Sequence, residues 1–392
     1  MKKQISKLCK IVICLIVLIG CTSCSSNSRE LTEIFDYVYD AGVYTKLDEE
    51  YADRYFLKNY DNYSGACSAI AKTLDNGETI VGRNMDLNIY NKCAYVVRTN
   101  VEGHYKTVGL MYTFRDVSPD YEEVKKKGLP SDFEKILPFM ADDVLNEKGL
   151  YVEVNMRNGE YWPNGDPKFS CSGTNPESDK RVYMFELPRY IAENCATVDE
   201  AIEYVKTLDI YSKNGYWNYC FIIADATGHY GLLELAMNQV IWEDYQPCQT
   251  NFYVNEILNY LEEFQCGNGR YDLLMNNIDS VKSEEDMLAL MKRVNYYNMY
   301  SPETCEFDYR SESVSVLPFA TYSVVTNPNL EDFVEEQMQI LSKEVNSLTR
   351  QQQQDLNNYW ESTFTEVINC NKKTIFVRFF EDDNRTLTLT VE

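Results

Sequence analysis

The chain has 392 residues, 44% apolar and 13% aromatic, enough for one large domain or two ordinary ones, which excludes a disordered protein or a miniature disulfide scaffold. Its 37 basic and 61 acidic residues leave a net charge of −24, a poor match for polyanions, so nucleic acid is set aside as a partner. With His104 and His229 the only imidazoles, a multi-histidine zinc site is excluded, and no cofactor is expected.

Lys2, Lys3, Lys7 and Lys10 precede a short apolar run at 11–20. A spanning helix needs about 20 apolar residues, so residues 1–20 read as a signal peptide. The run ends in Leu18-Ile19-Gly20-Cys21, which resembles a bacterial lipobox, where the cysteine carries the lipid and starts the mature chain; an ordinary secretory signal is the alternative. The expectation is an exported bacterial lipoprotein, anchored to the cell membrane through Cys21 and facing outward, with residues 21–30 as a flexible tether. Nine cysteines remain in the body beyond Cys24, at 67, 93, 171, 195, 220, 248, 266, 305 and 370. An odd number in an oxidising compartment leaves at least one thiol without an intramolecular partner.

From residue 31 to about 60 the spacing of Ile34, Val38, Val43, Leu47, Tyr51, Tyr55 and Leu57 predicts helix broken near Gly42, so residues 31–66 read as a packed helical upstream segment. Two β-prone runs, 67–74 and 78–81, then flank Asp75-Asn76-Gly77, a hairpin turn. Further hairpins are predicted at 219–235, turning at Ala226-Thr227-Gly228, and at the C-terminus, where 374–380 and 386–391 flank Glu381-Asp382-Asp383-Asn384. Between them Ser131 with Glu134, Thr197 with Glu200 and Ser283 with Asp286 resemble capping boxes, and Pro138 should kink the first helix. The acidic, glutamine-rich stretch 330–358 reads as a long solvated helix or helix pair. Strands and helices without strict βαβ alternation predict an α+β fold with antiparallel sheets.

No phosphate-binding loop, GxSxG elbow, HExxH or EF-hand loop is present. Both histidines sit beside a glycine in predicted turns, which favours surface positions. A base that needs no imidazole is the α-amine of an N-terminal residue, with a reference pKa of about 7.7 to 8.0. An N-terminal cysteine would carry nucleophile and base together, with a cation to favour its thiolate and a carboxylate to hold the amine.

Cys67-Ser68, then Gly77, then Gly82-Arg83-Asn84-Met85-Asp86, with the arginine sixteen residues after the cysteine, strongly resembles the opening of the choloylglycine hydrolase family. These are N-terminal nucleophile (Ntn) hydrolases that include bile salt hydrolases, penicillin V acylases and acid ceramidase-like amidases. The likeness continues through Asn146-Glu147-Lys148-Gly149-Leu150 before a strand ending in Asn155, through Phe185-Glu186-Leu187, 222–225, Thr250-Asn251 and Arg270, and into the closing hairpin at 376–389. It implies a four-layer αββα sandwich, two antiparallel sheets between helical layers, over residues 67–392.

The resemblance implies a cysteine amidohydrolase of a linear N-acyl amide, of the bile-salt conjugate, penicillin V or N-acyl lipid type. Cys67 is the nucleophile and its amine the base; Asp86 orients the amine, Arg83 supports the thiolate, Asn155 and Asn251 donate to the oxyanion, and Arg270 completes the charge network. Asn155 as a plain strand-end residue, Asn251 as a helix cap and Arg270 as a solvated arginine stay open as alternatives. In bile salt hydrolases the cysteine follows the initiator methionine, whereas 66 residues precede Cys67, so the likeness to acid ceramidase-like relatives implies self-cleavage between Ala66 and Cys67 with the upstream piece remaining bound. An unprocessed Cys-His hydrolase or acyltransferase, and a non-catalytic lipoprotein binding an acyl amide, are the competing readings. Self-association into a homo-oligomer is left open.

Overall fold

The computed structural model describes residues 31–59, 65–88, 92–111, 118–156, 171–212, 219–255, 267–295, 314–317, 320–322 and 360–391. The signal segment, Cys21, the tether and the glutamine-rich stretch lie outside the described residues. Among the described residues no helix is long and apolar enough to cross a membrane.

The chain opens with β1 (Thr32–Phe35), β2 (Val38–Tyr44) and α1 (Glu49–Asn59), followed by β3 (Gly65–Thr73), β4 (Thr79–Asn88), β5 (Ala94–Thr99) and β6 (Thr107–Met111). Next come α2 (Tyr121–Lys127), α3 (Ser131–Ile136), β7 (Ala141–Asn146), β8 (Tyr151–Met156), β9 (Arg181–Tyr183), α4 (Leu187–Asn194), α5 (Val198–Lys206) and β10 (Asp209–Tyr211). The remainder comprises β11 (Tyr219–Ala224), β12 (Tyr230–Ala236), β13 (Gln239–Asp244), β14 (Cys248–Gln249), α6 (Asn268–Asn277), α7 (Glu284–Arg293), β15 (Val314–Leu317), β16 (Ala320–Tyr322), β17 (Trp360–Asn369), β18 (Thr374–Phe379) and β19 (Thr386–Thr390).

Two large sheets form the centre. One has nine strands in the order β1-β2-β5-β6-β7-β8-β11-β12-β13, and the other has six in the order β14-β3-β4-β17-β18-β19. They meet face to face where β3 packs on β8 and β11. α4 covers β7 and β8 on the far side of the larger sheet, with α5 beside it, while α6 and α7 cover β14, β3, β4 and β17 on the far side of the smaller one. The result is a helix–sheet–sheet–helix sandwich. Strand alternation sorts the side chains: Cys67, Ala69 and Ala71 join the core between the sheets, whereas Ile70, Leu74 and Ile80 pack against Leu274, Met287 and Met291 beneath the helices. α7 crosses β4 so closely that a Cβ on Gly82 would lie 2.6 Å from Met291 Cγ.

The hairpins at 67–81, 219–235 and the C-terminus form as predicted. Thr197 and Ser283 each accept the backbone N–H three residues on, from Glu200 at 3.2 Å and Asp286 at 3.1 Å. Three expectations need correction. Residues 32–44 are strands rather than helix. A bulge between Asp40 and Val43, where Gly42 takes a φ of +70°, interrupts the two-residue alternation and leaves Val38, Ala41 and Tyr44 buried at a spacing that mimics a helix. The helical reading of the upstream segment holds only for α1. Ser131 caps nothing, because Pro130 takes the N-cap position and its carbonyl accepts the Glu134 N–H at 2.9 Å; the helix stops before Pro138 instead of kinking at it. Finally, β2 runs parallel to β5, and β9 to β10, within an otherwise antiparallel arrangement.

The turn at 146–150 shows how one side chain builds local structure. Asn146 Oδ1 accepts the backbone N–H groups of Lys148 and Leu150, both at 2.9 Å, and its Nδ2 donates to the carbonyls of Ala192 and Cys195, both at 2.7 Å. Gly149 closes the turn at φ +87°, and a Cβ there would lie 2.3 Å from the Cys370 carbonyl oxygen. Gly149→Ala should therefore cost on the order of 1–3 kcal/mol, read as a lower urea midpoint, whereas an unchanged midpoint would show that the turn can relax.

Candidate active site

The β3–β4 ladder fixes which groups share a face. Cys67 lies opposite Met85, Ala69 opposite Arg83, and Ala66 opposite Asp86. Cys67, Met85 and Arg83 therefore face the other sheet, while Asp86 belongs to the face covered by helices. Cys67 is 2% exposed, and its Sγ lies 3.5 Å from Met85 Sδ.

The backbone of Cys67 is held on both sides. Its N–H donates to Asn251 Oδ1 at 3.1 Å, and its carbonyl accepts from Arg270 Nη1 at 2.7 Å. Arg270 Nη2 donates to the same Asn251 oxygen at 2.8 Å, and Nη1 lies 3.5 Å from Asp86 Oδ2. Two donors converging on one amide atom require that atom to be the oxygen. Asp86 Oδ1 accepts a hydrogen bond from the Ser362 hydroxyl on β17. Two further contacts set these groups in place. Glu234 on β12 accepts the N–H groups of Val254 at 2.8 Å and Asn255 at 3.1 Å, just beyond Asn251. Thr250 Oγ1 donates to the Gly267 carbonyl at 3.1 Å, at the start of the helix that carries Arg270.

Arg83 is fully buried between the sheets and serves as a hub for three carboxylates. Nε donates to Glu153 on β8 at 3.0 Å, Nη1 donates to Asp143 on β7 and lies 3.7 Å from Glu366 on β17, and Nη2 donates to the Val154 carbonyl at 2.8 Å. One cation cannot balance three buried anions, so the cluster retains protons. Burial pushes Glu153 up to about 7 against the pull of Arg83, and burial and the Asp143 charge hold Glu366 well above the usual carboxylate range. With these donors engaged elsewhere, Arg83 acts on Cys67 through its charge.

Asn155 follows Val154 on β8 and lies on the same face as Glu153, directed between the sheets. It is fully buried, and neither its Oδ1 nor its Nδ2 has a hydrogen-bond partner. Leaving such an amide unpaired costs about 1–3 kcal/mol. Cys67 and Arg83 thus meet on the inter-sheet face, Asn251 and Arg270 hold the Cys67 backbone with Asp86 beside Arg270, and Asn155 stands on the inter-sheet face without a hydrogen bond to the thiol.

Burial pushes the Cys67 thiol up to about 12; the Arg83 charge opposes this, the Asp86 and Glu153 charges reinforce it, and the Asp86 backbone N–H opposes it by bonding the sulfur. In the unbroken chain the sulfur is a thiol. Neither histidine contacts it. His229 sits between Asp244 at 2.5 Å and Asp199 at 3.3 Å, and His104 is exposed in a turn. Among the described residues Cys67, Cys93, Cys171, Cys195, Cys220, Cys248 and Cys370 are all buried and outside any disulfide, so Cys67 is distinguished by its neighbours rather than by lacking a disulfide. Cys266 and Cys305 lie outside the described residues.

No sequence motif singles out Glu153, Asp143, Glu366, Ser362 or Glu234. For two of them a signal exists: Glu153 within Val152-Glu153-Val154 and Glu366 within Thr365-Glu366-Val367 are charges placed on apolar strands, which burial permits only with a partner.

The site is thus a buried cysteine whose backbone is held by an amide and a guanidinium within a two-sheet sandwich. Residues 67–251 match the model of the linear amide C–N hydrolases, choloylglycine hydrolase family. Over that stretch the chain resembles this family, and the match supports a hydrolase acting on linear amide C–N bonds. Among solved structures it is similar to a mutant of conjugated bile acid hydrolase from Clostridium perfringens, with 12% identity, 83% of this chain and 92% of that chain covered, and a TM-score of 0.43. It is also similar to penicillin V acylase from Agrobacterium tumefaciens, with 13% identity, 83% and 86% covered, and a TM-score of 0.42. No curated protein matches the chain.

Two buried carboxyl groups, Glu153 in the Arg83 hub and Glu186 beside Arg189, predict a pH dependence. Folded Glu153 holds its proton to about 7 and Glu186, pushed up by burial, to about 8, whereas both lose it near 4.5 when unfolded. Between those values the native state binds more protons, so stability should fall as pH rises from about 4.5 to 8. Urea midpoints measured across that window should show the decline, and Glu153→Gln should flatten its lower half. Glu366→Gln, which mimics a carboxyl already protonated, should change stability by less than about 1 kcal/mol, whereas Arg83→Met should cost about 3–5 kcal/mol by stranding buried acids.

Proposed function

We propose that the protein is a cysteine Ntn amidohydrolase that cleaves a linear N-acyl amide through a thioester on Cys67, using as base the α-amine released by self-cleavage between Ala66 and Cys67. The observation that carries this reading is the hold on the Cys67 backbone: Asn251 Oδ1 accepts the N–H that would become the amine, and Arg270 binds the carbonyl of the same residue. The family match beginning at Cys67 and the absence of a histidine contact point the same way.

In this mechanism the free amine takes the thiol proton as sulfur attacks the substrate carbonyl carbon. The C–S bond forms while the carbonyl π electrons move to oxygen, where Asn155, whose buried amide has no partner, and Asn251 supply donors. Collapse breaks the C–N bond, and the departing amine takes the proton from the ammonium. Water, deprotonated by the same amine, then attacks the thioester and releases the acid and the thiol. Asp86 orients the ammonium and Arg83 favours the thiolate by its charge. Self-cleavage is required because a peptide nitrogen is no base.

The proposal retains the upstream segment as a bound, α-subunit-like piece, since β2 pairs with β5 inside the nine-stranded sheet. It also retains export as a lipoprotein through Cys21, which would present the site outside the membrane. Intact mass of the purified protein should show a break before Cys67, absent in Cys67→Ala. Assay against glycocholate, penicillin V and N-lauroylethanolamine should find turnover in the wild type and a loss of at least about 10³-fold in Cys67→Ala. An unbroken, fully active chain would overturn the amine as base.

A further inference from the structure

We propose that Ser362 is a positioning residue that holds the Asp86 carboxylate ionised and correctly turned toward the nucleophile, and that a β-bulge in β17 exists to place it there. On the β17–β4 ladder Phe364 lies opposite Met85, but the next pair is Ser362 with Asp86, so the register shifts across Thr363. Without that extra residue Ser362 would share the face of Phe364, between the sheets. The bulge turns it to the face of Asp86. Ser362 and Thr363 are fully buried, and a turn that packs on them fixes the bulge: Phe380 N–H donates to the Thr363 carbonyl at 2.7 Å, and Glu381 accepts the Ser362 N–H at 3.2 Å. Phe380 and Glu381 both take positive φ, +55° and +56°, to reach these positions.

Each oxygen of Asp86 thus faces a different group: Oδ1 accepts from the Ser362 hydroxyl, and Oδ2 faces Arg270, which itself holds the Cys67 carbonyl and Asn251. The hydroxyl fixes the plane, and a donated hydrogen bond favours the ionised form. Such bonds to charged groups are worth about 10- to 100-fold in an equilibrium. The inference rests on the reading that Asp86 holds the amine of Cys67.

The test compares Ser362→Thr with Ser362→Val, which share a shape and differ by the hydroxyl, beside Ser362→Ala. Profiles of kcat/KM against pH would be recorded on whichever of glycocholate, penicillin V and N-lauroylethanolamine the wild type turns over fastest. The threonine variant should keep the wild-type acid limb. The valine and alanine variants should lose about 10- to 100-fold near neutral pH, with the acid limb moved to higher pH, because Asp86 then protonates sooner. Equal profiles for threonine and valine, or for alanine and the wild type, or a loss without movement of the limb, would overturn the role of Ser362. Cys67→Ala and Asp86→Asn keep the two levels apart: if both remain active, the underlying mechanism fails, and if both are inactive while the Ser362 variants match the wild type, the positioning role alone fails.

Discussion

The interaction on which the site depends is the buried guanidinium of Arg83. It joins β4 of the smaller sheet to β7 and β8 of the larger one through Asp143, Glu153 and the Val154 carbonyl, with Glu366 of β17 nearby. A buried cation tolerates no loss of partners, and three buried carboxylates tolerate no loss of the cation. The two sheets are therefore held in one register directly beside Cys67. The same arithmetic of charge explains why the cluster holds protons at neutral pH.

A second set of contacts decides what the cysteine can do. Asn251 and Arg270 come from separate elements, yet both bind the backbone of Cys67 rather than its sulfur, and Asp86 lies beside Arg270. That geometry suits a residue whose nitrogen is the working group. With the chain unbroken, burial keeps the sulfur protonated and its nitrogen is a peptide donor, so both halves of the proposed catalytic pair are silent. In the proposed mechanism, cleavage before Cys67 turns that peptide donor into an amine able to take the thiol proton.

What could be read beforehand followed from local chemistry. Asp75-Asn76-Gly77 set the hairpin that pairs Cys67 with Met85, and the caps at Thr197 and Ser283 rest on side chains three residues from the N–H they accept. The family-like spacing of Arg83, Asp86, Asn251 and Arg270 was also legible, and all four gather around Cys67. What escaped was set by tertiary structure. Ser362 meets Asp86 across 276 residues, through a bulge that leaves no pattern in the sequence. The upstream strands were hidden for the related reason that the bulge at Gly42 replaces alternation with helix-like spacing. At Ser131 a neighbouring proline took the capping position, a competition that the capping pattern alone does not register.

The central claim is that the working enzyme carries a free α-amine on Cys67. A 2-cyanobenzothiazole condenses with an N-terminal cysteine, which presents amine and thiol together, and not with an internal one. Active protein, denatured and treated with this reagent, should be labelled stoichiometrically, with the label mapped by peptide mass to Cys67. Fully active protein in which the peptide spanning Ala66 and Cys67 is recovered intact and unlabelled would contradict the account.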